Sequence, residues 1–316
     1  MCVPESFSGL VLLGNIVRNL TYQLLNVFAE STFGGNPLCV FEDARALSDE
    51  EMQALALQFN LSETVFLLPS ERADARMRIF TPGTEMAFAG HPSIGAAAVV
   101  SDLLGNSGDV GDVGDVRSLQ LECRAGLVSL QSQDQVWSFS PPKAAQILPC
   151  DVDAADIAAM LGLRAGDLLC APVWVNTGSD QLLIAVNTPD AVQRARFDAA
   201  NLAHWPLSSL QRRTAYVFAR DETRNAASHG DVPRIVARYL FERPGGGVGE
   251  DPATGSACAN LGAWLIAQQT ALPFRYLVMQ GAQMRRASQL YLDVDANKVI
   301  KVGGKVIKIG SGIIQI

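Results

Sequence analysis

Two carboxylates, Glu250 and Asp251, stand immediately before a glycine-marked entry into a helix, Gly249 to Ala257, which runs on from Cys258 to Ala267. Pro252 fixes the loop backbone, and Thr254 or Ser256 can cap the first turn through a hydroxyl oxygen. No charged residue occurs from Ser256 to Gln268. A helix apolar on nearly all sides must be buried. Its first turn then carries N–H groups without intrahelical partners inside the protein. An anion suits them, because the helix dipole is positive at that end. Carboxylates beside an anion site are an arrangement for binding and protonating a small acid.

A second stretch repeats the design. Phe88 to Gly95, with Gly90, His91 and Pro92 at its centre, leads into the small apolar run Ala96 to Val100. The two stretches lie in opposite parts of the chain. They read as a degenerate internal duplication with a site between the halves.

The elements that must position these groups follow from periodicity. Strands are expected at 22–28, 38–41, 65–68 and 76–80, and Glu63 sits at the mouth of the third. A helix opens at Ser48, with Glu51 three residues on completing a capping box and Met52, Leu55, Ala56 and Phe59 on its buried face. Phe33 to Pro37 reads as a turn. A triplicated Gly-Asp-Val between 105 and 115 reads as a mobile surface loop. Strands follow at 118–123, 127–131 and 135–139, and 140–143 is the linker candidate. Beyond it come a helix at 153–163 and strands at 174–176, 182–186, 214–219 and 234–241. Residues 245–249 read as a flexible approach to the organising loop. The end, 299–309, reads as a hairpin turned at Gly303-Gly304, with a closing strand at 313–316. Many short strands with one buried helix per half fit two curled sheets, each wrapped round a helix, rather than a doubly wound parallel sheet.

Composition narrows the function. The 316 residues are 48% hydrophobic and 18% charged, enough for substantial cores. The net charge of -7 argues against nucleic acid and gives no basic patch for a membrane. Six cysteines are scattered without a CxxC pair, so no zinc site is expected, and they suit a reduced, cytoplasmic protein. The apolar part of residues 1–20 is too short to span a bilayer and lacks a basic start, so 1–21 is taken as an extension. The Gly249 to Ser256 glycines are spaced too widely for a P-loop and no Lys precedes Ser256. A nucleophile-elbow serine is also missing.

Six motifs in order resemble one family: Phe33 to Pro37, Asn60 to Thr64, Phe80 to Pro82, Phe88 to Pro92, Glu250 to Ala257, and Gln280-Gly281 with Met284 and Arg286. The chain resembles the PhzF-like isomerases of phenazine biosynthesis, from Tyr22 to Ile316. The resemblance implies an α+β, diaminopimelate epimerase-like fold: two pseudo-symmetric halves, each a barrel-like, mainly antiparallel sheet around a central helix. The halves are expected at 22–139 and 140–302, with a strand at about 303–316 returning to the first. It implies no cofactor, no metal and a homodimer. It places the proton-shuttling glutamate on Glu63, the histidine on His91 and the second-half aspartate on Asp251. Gly90, Gly255 and Ser256 would line the pocket for a substrate carboxylate.

The chemistry is consistent with those residue types. A carboxylate can take and return a proton if burial lifts its pKa toward neutrality. Read alone, Glu63 is a solvated turn glutamate, and the resemblance reverses that. His91 could donate to the substrate. Asp251 could orient His91, hold an amino group, or cap the helix. The cysteine pair used by racemases of this fold is replaced by Ala89 and Thr254, and Cys258 falls inside the helix. The expectation is a cofactor-independent isomerase of a small carboxylate-bearing molecule. The alternatives are an amino-acid racemase, or a binding protein that kept the fold and lost turnover.

Overall fold

The computed structural model describes residues 17–105, 116–222, 232–243 and 245–316. The Gly-Asp-Val repeat and most of the N-terminal extension lie outside the described residues. The first half runs β1 (Asn19–Val27), β2 (Asn36–Phe41), α1 (Asp49–Phe59), β3 (Glu63–Leu68), β4 (Ala75–Phe80), β5 (Glu85–Met86), α2 (Gly90–Leu103), β6 (Arg117–Cys123), β7 (Gly126–Gln133) and β8 (Val136–Phe139). The second runs β9 (Gln146–Pro149), α3 (Ala154–Met160), β10 (Val173–Asn176), β11 (Asp180–Ala185), α4 (Pro189–Arg194), β12 (Thr214–Asp221), β13 (Arg234–Glu242), β14 (Val248–Asp251), α5 (Gly255–Ala267), β15 (Phe274–Gln280), β16 (Ser288–Val294) and β17 (Ile300–Gln315).

The pairing closes the first half on itself. Around the ring run β1, β2, β3, β4, β6, β7, β8 and β17, and β17 returns to β1. Helix α2 packs against every strand of that barrel. Ile94, Ala96 and Ala97 are fully buried in it. The absence of Asp, Glu, Lys and Arg from Gly90 to Ser101 is therefore a requirement of position, since an unpaired ion there would cost several kcal/mol, and Asp102 is exposed at the helix end. Gly95 lets α2 approach β2: a Cβ there would lie 2.3 Å from Leu38 Cδ2.

In the second half the strands run β10, β11, β12, β13, β15, β16, β17, with β9 beside β10. From β1 to β8 the contacts are antiparallel, parallel, antiparallel, parallel, antiparallel, antiparallel. The same series runs from β10 to β17. Helix α5 packs on β10, β11, β16 and β17. The duplication extends to side chains. On β4, Arg78 holds Glu85 of the hairpin strand β5 through two bonds of 2.9 and 2.8 Å. On β13, Arg238 holds Glu250 of β14 through bonds of 3.0 and 2.7 Å. Gly90 and Gly255 stand at the same distance in sequence beyond their glutamates.

The capping box on α1 is present, Ser48 and Glu51 each bonding the other's backbone N–H. The expected hairpin at Gly303-Gly304 is not. Residues 300–315 form one continuous strand that pairs with β16 and β8 and then with β1. The two glycines answer close approach, not a turn. A Cβ on Gly304 would lie 2.3 Å from the ring of Phe28, and one on Gly303 would lie 3.0 Å from Val136.

Candidate active site

The two helix entries meet. A Cβ on Gly255 would lie 3.4 Å from Gly90 Cα, with the rings of Phe28 and Phe139 at 3.2 and 3.3 Å. Ala89 and Thr254 are the N-caps, and neither gives a side-chain cap bond. The expected hydroxyl cap from Thr254 or Ser256 is therefore absent. Thr254 Oγ1 donates instead to Asp251 Oδ2 at 2.5 Å, and Ser256 Oγ accepts from Gln181 Nε2 at 3.2 Å. Both hydroxyls are drawn away from the α5 amides, which leaves the helix start free of an internal anion mimic.

Glu63 opens β3, where parallel pairing sets it level with Leu38 of β2. Its side chain is 15% exposed, and Oε2 lies 3.5 Å from His91 Nε2. That is beyond a hydrogen bond, and neither atom has a hydrogen-bond partner. Burial first, then the nearby charge of Asp251, pushes the Glu63 carboxyl up to about 8, with Arg212 opposing. Burial pushes His91 down to about 3, so the imidazole is neutral, and it donates to the Pro37 carbonyl. Since Nε2 is unpartnered, the network assigns the ring proton to Nδ1. The Nε2 lone pair then opens toward Glu63.

Asp251 ends β14, and Asn36 stands between it and His91. Asn36 Nδ2 donates to Asp251 Oδ1 at 2.8 Å and to the Ala253 carbonyl at 3.0 Å, and lies 3.3 Å from His91 Nδ1. Asn36 thus separates Asp251 from His91: with both Nδ2 protons given to Asp251 and Ala253 and the ring proton on Nδ1, it makes no hydrogen bond to the imidazole. Gln280 braces the loop, donating to the Asp251 carbonyl at 2.8 Å and to Thr254 Oγ1 at 3.0 Å, and accepting from the Thr254 N–H at 3.3 Å. Burial raises the Asp251 carboxyl to about 6, against the bonds from Thr254 and Asn36. Glu250, expected to share this role, is turned away into its ion pair with Arg238.

The geometry therefore brings Glu63, His91, Asp251, Gly90 and Gly255 together, with Ser256 one residue into α5. Sequence reasoning missed Asn36, Gln280, Thr254 as a ligand of Asp251, and Tyr239. Tyr239 pairs with Asp251 across β13 and β14, and burial lifts its phenol to about 12. The signal for Asn36 lay inside Phe33 to Pro37. That motif does turn, with Gly35 at φ 73°, but its work is to deliver Asn36. Arg286 locks it there, donating to the carbonyls of Gly35 and Gly34 at 2.8 and 3.1 Å. Cys258 is fully buried in α5 and burial pushes its thiol far up, so it is no nucleophile. A surface groove of about 920 Å³, lined by Gln131, Phe274, Tyr291 and Lys305 among others, contains none of these residues. Among the described residues no helix is long and apolar enough to cross a membrane.

Known proteins resemble this chain in sequence and in fold. The family model described as phenazine biosynthesis-like protein matches residues 25–312. An uncharacterized isomerase of Pasteurella multocida is 37% identical over 294 residues, covering 92% of each chain. Trans-2,3-dihydro-3-hydroxyanthranilate isomerase of Pseudomonas aeruginosa is 32% identical over 276 residues, 85% of this chain and 88% of that one. A crystal structure of a PhzF-family protein from Bacillus anthracis superposes with a TM-score of 0.75 at 23% identity, over 95% of this chain and 100% of that one, a likeness of fold.

Proposed function

The chain belongs to the phenazine biosynthesis-like protein family and is an isomerase, and on that footing we propose that it shifts a proton between two carbons of a small carboxylate-bearing substrate. Glu63 is the group that moves the proton. Its ionised form takes a proton from a C–H of the substrate, the electron pair shifts through an adjacent double bond, and the Glu63 carboxyl, exchanging with solvent, returns a proton at a second carbon. A carboxyl raised toward the working pH serves both steps, because neither protonation state is far from reach. The neutral imidazole of His91 accepts a hydrogen bond at Nε2 as charge redistributes, in place of the donor role expected from the sequence, because its ring proton sits on Nδ1 toward the Pro37 carbonyl. Asp251, held by Asn36 and Thr254, receives an amino or hydroxyl group of the substrate. The amides of Gly90, Gly255 and Ser256 face the substrate carboxylate.

The observation that carries this reading is Glu63 itself: a half-sequestered carboxyl, 3.5 Å from a neutral imidazole, beside two helix starts that lack side-chain caps. Trans-2,3-dihydro-3-hydroxyanthranilate, the substrate named for the Pseudomonas relative, is the first candidate. Incubation with it in deuterated water tests the reading. Wild type is expected to place deuterium on carbon, and Glu63→Gln to lose this by about 100-fold or more. A Glu63→Gln protein that exchanges as fast as wild type would remove Glu63 from the mechanism. The same reading takes the protein as a cytoplasmic homodimer, and sedimentation of the purified chain tests the oligomer.

A further inference from the structure

Asn260, fully buried in α5, organises a chain of hydrogen bonds on the second-half side of the cleft. Its Oδ1 accepts from Thr177 Oγ1 at 2.7 Å. Its Nδ2 faces the carbonyls of Val175 and Ser179 at 2.7 and 2.9 Å, and also Gln181 Oε1. Oxygens on that side and a hydroxyl on the other leave one orientation for the amide. Gln181 is oriented in turn. With its oxygen held by Asn260, its Nε2 donates to Ser179 Oγ and to Ser256 Oγ, both at 3.2 Å.

Each hydroxyl therefore spends acceptor capacity on Gln181. Ser179 Oγ also accepts from Arg212 Nη2 at 3.1 Å. The hydroxyl protons of Ser179 and Ser256 are left to donate, and neither serine acts as donor to another described residue. Arg212 adds a guanidinium, which has no acceptor at all. Its Nε is buried without a hydrogen-bond partner, and among the described residues no carboxylate lies within ion-pair distance of it. Of the guanidiniums embedded near the two helix entries, Arg78 and Arg238 are each closed by a bidentate glutamate, and Arg286 by the carbonyls of Gly34 and Gly35 and the amide of Asn26. Through Ser179 and Gln181, Arg212 is linked to Ser256 in the first turn of α5, which places it at the same cleft. Arg212 and Ser179 thus offer protons and no free lone pair, and Ser256 offers a proton beside one remaining lone pair, a donor-rich combination that suits an anion. Glu63 and Asp251 nearby disfavour a doubly charged group such as phosphate.

We infer that Arg212, with the hydroxyls of Ser179 and Ser256, is the anchor that holds the carboxylate of the substrate and rejects its neutral analogues. The inference rests on the isomerase reading above for the identity of the cleft, and names the charged partner that reading lacked. Arg212 is a binding residue here and takes no part in proton transfer.

The test is binding, not turnover. Calorimetry with anthranilate and with its neutral isostere anthranilamide is expected to show wild type preferring the acid by about 30-fold. Arg212→Gln is expected to weaken anthranilate by about the same factor while leaving anthranilamide within about twofold. Arg212→Lys is expected to recover part of the preference, because charge returns without the fork. Ser179→Ala, which keeps the guanidinium, gives an intermediate loss. Thermal melting of each variant separates loss of the anchor from loss of the fold, and the lysine variant carries the test should the glutamine variant unfold. Wild type that fails to prefer the acid, or a folded Arg212→Gln protein that keeps the preference, overturns the inference. Failure of the proton-transfer reading would appear in deuterium exchange and leave this pattern intact.

Discussion

A methyl group on Gly90 would stand 3.1 Å from Gly255 Cα and 2.8 Å from the ring of Phe139. The two helix entries are therefore in backbone contact, and the ring cannot swing aside freely, because Phe139 is buried edge-on against Phe88. Gly90→Ala is expected to cost roughly 1–3 kcal/mol by overpacking and to lower kcat/KM beyond what the loss of folded protein explains. Urea denaturation and steady-state rates check this. A variant as stable and as active as wild type would mean the helix starts have room to part.

Glu63 should make the fold less stable as the solution becomes alkaline. Its carboxyl is raised from 4.5 to about 8. Between those values the folded protein keeps a proton that the unfolded chain has released, so this contribution falls as pH rises through that window. Glu63→Gln removes the titration. The variant should gain on wild type by an amount on the order of 2 kcal/mol at pH 8.5 and by little at pH 5. Melting curves at the two pH values decide it.

The rate should follow the same group. With His91 neutral above about 3, no rise in kcat/KM is expected near the ordinary histidine value. A rising limb is expected above pH 7, as the raised Glu63 ionises. Asp251→Asn should move that limb to lower pH, since the Asp251 charge helps to hold Glu63 up. A limb that stays in place would mean the two carboxyls do not sense one another.

Asn36 positions Asp251 rather than touching the reacting carbons. Asn36→Leu removes its bonds to Asp251 Oδ1 and the Ala253 carbonyl. The Asp251 carboxyl should rise further above 6, and activity should fall by about 10- to 100-fold. Carbon NMR of labelled aspartate reads the titration independently of turnover. An unchanged Asp251 titration would leave Asn36 with a structural role only.

Two glycines on β17 make an internal contrast. Gly304 lies against Phe28, while a Cβ on Gly310 meets nothing within 4 Å. Gly304→Ala should destabilise by roughly 1–3 kcal/mol, and Gly310→Ala should be close to neutral. Equal effects would place the cause in backbone entropy, not in contact with the ring.

The parts of this molecule legible in the sequence are those whose signal is local. A long apolar helical run can only be core, so α5 and the Ile94–Val100 part of α2 announced themselves, and the glycines at their starts marked where they meet. Ser48 and Glu51 are three residues apart and needed no tertiary information. What escaped was decided by pairing across long separations. Asn36, Gln280 and Arg212 converge on the cleft only once β2, β12 and β15 take their places in the sheets. Gly303-Gly304 misled because alternating residues around two glycines describe a hairpin and a strand skirting a phenylalanine equally well. Glu250 misled because its partner, Arg238, lies twelve residues upstream on another strand.

Strand β17 is synthesised after every other strand described, yet β8 and β1 both depend on it for their outer partner. A nascent chain that has already produced everything up to β8 still carries an open seam, with two unpaired edges flanking the apolar helix α2. Maturation of the first-half barrel must wait for residues 300–315 to emerge, so the two halves become native together, and a nonsense mutation just before codon 300 would disable a barrel translated long before it.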